Sequence, residues 1–462
     1  MRSRAAIPWW VLVLVSGAIA AAAVMRWIWA ITLDGPVLYG EGAVAHAALL
    51  ARQGTEYVAG ARYGDVSPIF TAANYPPLYF HIAGLGDPFI AGRIASGVAT
   101  LAIAAAIALR ARAAGPLVAA GLALSWIATL PVIVWGVAVK PDLVALALTV
   151  AALLMLERRA PFPAGILVGL AAAAKPTELF PAAAFVVVLL LARELRALAV
   201  YIGGFALAAI ATSLLTVGAD GSVFMHVIDW NALTFHVDQA VLLAVVAILV
   251  VGVPLFSVAL VRKGLSPIRA AYVVAALAVV ALGGREGATI NYILDLATAS
   301  FLVLAAVGPH VRASGALPIA LAAELVVVIA LFDPFGFLPG RPPGTGAWAD
   351  PARLAAASAL AKPALVEDSG LLVASGIEPI VDDLFLWSRL YDRGGSFDEG
   401  GRLIDAVSAH RFQTIVSETD LARLDAAPAY ERQRWASALV KAVLDGYRLD
   451  RHTGALWVYV PR

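Results

Sequence analysis

Apolar runs of roughly 17–25 residues, the length that carries a helix across ~30 Å of hydrocarbon, recur along this chain, with three shorter runs (the fourth to sixth) among them. A helix is the form such a run must take, because hydrocarbon offers no partner to a free backbone N–H or C=O. The runs lie near 9–33, 76–109 (a short element, then a long one), 117–138, 142–156, 162–176, 178–192, 197–217, 239–261, 267–283, 289–309 and 314–332. They make about eleven spans of an α-helical polytopic membrane protein. Of the 462 residues 61% are hydrophobic and only 14% charged, where soluble domains carry about 25% charged residues. The first run follows Met1-Arg2-Ser3-Arg4, and Ala18 with Ala20 to Ala23 would suit a cleaved signal peptide. It outlasts a signal core of roughly 7–15 residues, however, and Trp27 and Trp29 read as an interfacial belt, so an uncleaved first helix is expected.

Positive residues set the orientation. Arg2/Arg4, Arg110/Arg112, Arg158/Arg159, Arg193/Arg196, Arg262/Lys263 and His310/Arg312 fall at every second turn, which assigns those turns and the N-terminus to the cytoplasm. An odd number of spans then leaves the C-terminus outside an inner (plasma) membrane. The opposite turns hold a different set of residues: 34–87 with Asp34, Glu41, His46, Tyr75, Pro76 and Pro77; Lys140-Pro141-Asp142; Lys175-Pro176-Thr177-Glu178; Asp220 to Asp238 with His226, Asp229, Asn231 and His236; and Arg285-Glu286 with Asn291-Tyr292. Ionisable groups near membrane depth are costly and mark function by default. Five loops gathering such groups on one side is the strongest positional signal in the sequence.

From about Asp333 the composition changes, with Arg341-Pro342-Pro343-Gly344 reading as a linker. The expected organisation is a membrane domain over 1–332, a linker over 333–350 and a small extracytoplasmic α/β domain over 351–462, ending in a hairpin around His452-Thr453-Gly454. Lys+Arg 33 against Asp+Glu 32 leaves a net charge of +1, so no basic face invites nucleic acid. The cysteine count of zero removes thiolate nucleophiles and Cys-based metal sites. No metal and no cofactor are expected.

Each candidate has a plain structural alternative. Glu41 opens a short amphipathic helix, where a carboxylate is favoured by the helix N-terminus. It can take a proton from an incoming hydroxyl, or it can serve only as a helix-start acid. Lys140, Lys175 and Arg285 can stabilise charge on a phosphate leaving group, or can be helix-end charges. Arg93 can brace the bundle. His226 and His236, ten apart, lack the spacing of ligands on one helix turn and read as hydrogen-bonding or acceptor-site residues, together with Asn231. Asp382-Asp383 reads as a helix start and Glu418 with Asp420 as a solvated face.

Glu41-Gly42, an Ala-rich helix ending Arg52-Gln53-Gly54 with Tyr57, and Asn74-Tyr75-Pro76-Pro77-Leu78-Tyr79 resemble the first external loop of GT-C superfamily glycosyltransferases. That superfamily includes aminoarabinose transferases, protein O-mannosyltransferases and the family 39 and RgtA/B/C/D-like enzymes. Arg93-Ile94-Ala95-Ser96, Lys140-Pro141-Asp142 and Asn291-Tyr292-Ile293-Leu294-Asp295 extend the resemblance over about residues 1–332. It implies inverting transfer of a sugar from a polyprenyl-phosphate-linked donor, taken from among membrane lipids, to a cell-envelope acceptor on the outer face. It also implies Glu41 as the base, and Tyr75, Asn291 and Tyr292 beside the cations at the donor. Many such enzymes carry two adjacent acids where this chain has Gly40-Glu41, so Asp34 or Asp142 is expected to complete the site if Glu41 does not act alone. A secondary transporter or lipid-linked-sugar flippase is the rival from another class. It would place charges near the bilayer midplane and show two related halves, features not evident in this sequence. A non-catalytic scaffold presenting the C-terminal domain would leave the charged loops without a role.

Overall fold

The computed structural model describes residues 6–57, 70–217, 222–260, 265–336, 355, 359–394, 402–453 and 456–462. Arg2, Arg4, Asp220, Arg262, Lys263, the Arg341–Gly344 linker and Gly454 lie outside the described residues. The chain divides into two compact units: one from Met1–Ile31, Arg93–Leu214 and Thr234–Gly346, the other from Thr32–Gly92, Leu215–Leu233 and Ala347–Arg462.

The first unit is helical. Among the described residues five helices suffice by length and composition to cross a membrane, and six shorter apolar helices accompany them. This is a multi-pass membrane protein. Several helices follow the expected runs closely, among them Asp142–Glu157, Pro161–Ala174 and Leu179–Leu191. The run near 117–138 instead breaks into Pro116–Ile127 and Leu130–Trp135, with Thr129 extended at the joint. Pro131 has no N–H for the carbonyl of Ile127, so the ladder stops there. Helix Val237–Leu260 leaves helical geometry at Val251, three residues before Pro254. The Glu324 carboxylate accepts the freed N–H of Val253 at 2.7 Å, a side-chain repair of a broken ladder.

Helices Pro161–Ala174 and Leu195–Ser213 approach backbone to backbone. A Cβ at Gly165 would collide with the carbonyl of Tyr201, and one at Gly204 with the carbonyl of Phe162. Gly165 and Gly169 supply the small-xxx-small face that lets helices pack by van der Waals contact where no water drives them together. Gly203 meets nothing within 4 Å.

The second unit carries the sheet. β1 (Ala364–Val366) runs parallel to β2 (Thr414–Ser417), β2 pairs antiparallel with β4 (Leu456–Pro461), and β4 with β3 (Tyr447–Thr453), in the order β1-β2-β4-β3. Helices Leu384–Asp392, Arg402–Ser408 and Ser437–Gly446 cover it, their apolar faces meeting Ile415 and Tyr459 through Trp387, Leu403, Val407, Leu439 and Val443. Phe70 from the first polar loop and Trp230 from the 222–231 segment enter this same core, stacked at 5.1 Å. Phe70 also bridges Val381.

Replacement of Gly204 by Leu is expected to lower the melting temperature by about 5 °C or more, the cost of overpacking. The neighbouring Gly203→Leu should be nearly silent. Thermal unfolding of the two variants in detergent tests the assignment.

Candidate active site

Glu41 begins helix Glu41–Ala51 and is 0% exposed. Its carboxylate accepts the backbone N–H of Val37 at 2.7 Å, closing the turn before the helix. Gly40, where a second acid would stand, has φ 78°, the left-handed region that a side chain enters only at a cost of roughly 1–2 kcal/mol. The chain therefore exchanges a second carboxylate for a tight turn that presents Glu41 at the helix N-terminus. Gly42 has no room for a side chain: a Cβ would collide with the backbone of Gly370. Asp34 is exposed.

The same unit holds the other residues of its polar loops. Tyr57 donates its hydroxyl to the carbonyl of Tyr75 at 2.6 Å, and the half-buried Tyr75 ring meets Phe80 edge-on at 6.5 Å. Asn231 donates to the carbonyls of Asn74, His226 and Val227 at 2.7, 3.2 and 3.0 Å, sealing the π-helical turn Met225–Asp229. His226 in that turn is fully buried, 4.1 Å from Trp230 and 5.8 Å from Tyr57 between ring centroids. Neither of its ring nitrogens has a hydrogen-bond partner among the described residues. Burial pushes its imidazole down to about 4, so it is neutral near pH 7.

In the first unit a second centre forms around Asp142, the first residue of helix Asp142–Glu157. Oδ1 of Asp142 accepts from Nζ of Lys175 at 2.7 Å and from Nδ2 of Asn291 at 2.8 Å. Oδ2 is buried with no hydrogen-bond partner among the described residues. Asp142 and Lys175 are 2% and 5% exposed, so the pair is withdrawn from water. Lys175 lies 5.4 Å over the ring of Tyr292, whose hydroxyl accepts from Arg285 at 2.8 Å. The buried Lys175 ammonium is paired with the buried Asp142 carboxylate.

Arg93 and Ser96 bond to backbone carbonyls of the same unit. Arg93, fully buried, donates to the carbonyl of Ala30 at 2.8 Å, which is the bracing role open to it from sequence. Ser96 donates to the carbonyls of Ala138 and Lys140 at 2.7 and 3.3 Å, setting the path of the Lys140-Pro141-Asp142 turn. His236 pairs with Glu286 at 3.2 Å and belongs to the first unit, whereas His226 belongs to the second.

Two assignments from sequence change here, those of Asp382 and Glu418. Asp383 does cap its helix, accepting from Leu386 N–H at 2.9 Å, but Asp382 is buried and bonded to His46 at 2.9 Å. Glu418 is not a solvated residue: it accepts from Arg434 at 2.8 Å beside the buried Glu367, while Asp420 caps the turn at Ala422. Glu178 and Asp295 also lie buried, bonded to Thr149 at 2.7 Å and Tyr272 at 3.4 Å. Each is an acid at the head of an apolar run, and that signal was open to a reader of the sequence. Among the described residues no group of three His, Cys, Asp or Glu could hold a metal ion.

The model of glycosyltransferase family 87 matches residues 67–334. No curated protein matches the chain. A crystal structure of ArnT from Cupriavidus metallidurans bound to undecaprenyl phosphate aligns over 96% of this chain and 97% of its own, with a TM-score of 0.57 and 14% identity. The apo state of the same protein aligns over the same shares with a TM-score of 0.53. At that identity the likeness is one of fold.

Two outcomes follow from this geometry. Lys175→Met strands the Asp142 carboxylate and should cost about 3–5 kcal/mol, whereas Asp142→Leu combined with Lys175→Met should cost less than either alone, as read by thermal unfolding. His226 is neutral when folded and takes a proton when unfolded below about pH 6.5, so its contribution is complete above that pH and lost as pH falls towards about 4. Relative to His226→Phe, the protein should lose about 2 kcal/mol more stability between pH 7.5 and pH 4.5.

Proposed function

The chain belongs to glycosyltransferase family 87, and on that premise we propose that it moves a sugar from a polyprenyl-phosphate-linked donor to a hydroxyl of a cell-envelope acceptor, on the outer face of an inner membrane. Family and fold together make it a membrane glycosyltransferase of the GT-C superfamily. The donor class draws support from ArnT, the fold relative whose crystal structure holds undecaprenyl phosphate.

The carrying observation is the placement of Glu41. Its carboxylate is buried, stands at a helix N-terminus and is oriented by the N–H of Val37. A base so held loses little entropy on meeting its substrate. In the proposed step Glu41 takes the proton of the acceptor hydroxyl as its oxygen attacks the anomeric carbon. The carbon–phosphate-oxygen bond breaks on the opposite side, the electron pair leaves with the lipid phosphate, and the configuration inverts. Lys140 and Arg285, both of the first unit, are the cations proposed for a lipid phosphate. Asp142, itself held by Asn291, holds Lys175, and Tyr292 orients Arg285. Asp34, being exposed, is assigned to solvent-side acceptor contact rather than proton transfer.

Purified protein in lipid nanodiscs, given radiolabelled polyprenyl-phosphate sugars and envelope extract, should transfer label. Glu41→Gln should lower kcat by at least about 100-fold, the usual scale of a lost general base. Undiminished transfer by Glu41→Gln would remove Glu41 as the base. Label that crosses proteoliposomes without being transferred would replace the transferase by a transporter. A reporter fused at residue 340 and found in the cytoplasm would overturn the outer-face assignment.

A further inference from the structure

We propose that the C-terminal segment acts as a positioning clamp on the helix that carries Glu41, so that residues more than 300 positions away in sequence set the orientation of the base. The inference rests on the reading of Glu41 given above. Three contacts within the second unit bracket that residue. Before it, Tyr39 accepts the N–H of Phe385 at 3.1 Å through its hydroxyl, and its ring lies 3.9 Å from the guanidinium of Arg434. Arg434 is itself held by Glu367 at 2.9 Å and Glu418 at 2.8 Å. Directly after it, Gly42 meets the backbone of Gly370 so closely that no side chain fits. One turn further, Nδ1 of His46 is 2.9 Å from Oδ2 of Asp382, both groups buried. The other oxygen of Asp382 accepts the N–H of Ala72 at 2.8 Å, and its carbonyl accepts from Ser369.

The geometry of the helix makes this a clamp on one face. Gly42 and His46 are four residues apart and share a side, while Glu41 is turned from that side by about 100°. The C-terminal contacts therefore grip the helix at positions 42 and 46, on a side about 100° from that of Glu41. Helix Glu41–Ala51 is only 11 residues long, too short to be stable on its own. Its order must come from what it packs against. Each anchor is also well built. Glu367, buried at the root of the Arg434 contact, accepts from Arg434, Ser417, the N–H of Glu418 and Trp435 at 2.8–2.9 Å. An anchor satisfied on every side transmits position rather than absorbing it.

The test uses the full-length protein with Asp382→Asn, which keeps an oxygen for Ala72 but changes the partner of His46, and with Tyr39→Ala and Tyr39→Phe. A base displaced by about 1 Å can lose up to about 100-fold in rate. Asp382→Asn and Tyr39→Ala should lower kcat about 10- to 100-fold with the KM for the lipid donor within about twofold. Tyr39→Phe, which keeps the ring over Arg434, should restore most of the loss. Backbone amides of residues 41–51 should exchange at least about tenfold faster in Asp382→Asn, while those of helix Leu384–Asp392 stay protected. A loss of kcat without faster exchange at 41–51, or a KM effect in place of a kcat effect, overturns the clamp. If Glu41→Gln turns over like the parent protein, the base assignment falls, and the exchange of residues 41–51 alone decides whether the clamp stands.

Discussion

A lysine ammonium and an aspartate carboxylate, both nearly inaccessible to water, stand 2.7 Å apart among apolar helices of the first unit. Neither charge could remain there alone, since an uncompensated buried ion costs several kcal/mol. Their pairing dictates much around them. Asp142 must sit at a helix start, where the dipole favours it. Lys175 must come from a break between two helices so that its chain can turn inward. Asn291 must reach the same oxygen, and Tyr292 must lie beneath the ammonium. The turns that carry these residues are then tied down by others: Ser96 on the Lys140-Pro141-Asp142 turn, and the bond between Thr289 and Asn291. The ion pair is thus less a substrate contact than a fixed point from which neighbouring polar groups take their positions.

The second unit solves a different problem. It is assembled from three stretches of chain, 32–92, 215–233 and 347–462, the last of which supplies most of the core. Together they enclose it, with Phe70 and Trp230 closing over the helices that cover the sheet. Joining distant segments is costly in chain entropy, but the cost grows only slowly with the length of the intervening chain. Long insertions of membrane helices between the segments are therefore tolerated. The consequence is that Glu41, in the first of these segments, is held by residues of the last.

Much of this was legible in the sequence where one physical rule governs alone. The boundaries of Asp142–Glu157 and Leu179–Leu191 follow from uninterrupted apolarity, and the closing hairpin from alternation around a turn. Glu41 could be picked out because a lone acid follows Gly40 at a helix start. Asp382 could not be read correctly, because local chemistry makes two adjacent acids a helix start and only one of them is. Its partner, His46, lies 336 positions away, and no local rule links the two. Lys175 reads as a free cation for the same reason: the carboxylate that neutralises it is 33 residues earlier, on another helix.

By itself, then, the sequence determined that the chain must be a bundle of apolar helices with its ionisable groups at their ends, since hydrocarbon admits helices and excludes unpaired charge. It also determined which residues were chemically able to act. The tertiary structure alone decided how those residues are shared out: Asp142 paired with Lys175, Arg285 with Tyr292, and Glu41 with the N–H of Val37 at the head of a helix whose Gly42 and His46 meet the C-terminal segment. That division depends on pairings between distant segments, and pairings are a property of distance in space, which a linear chain does not contain until it has folded.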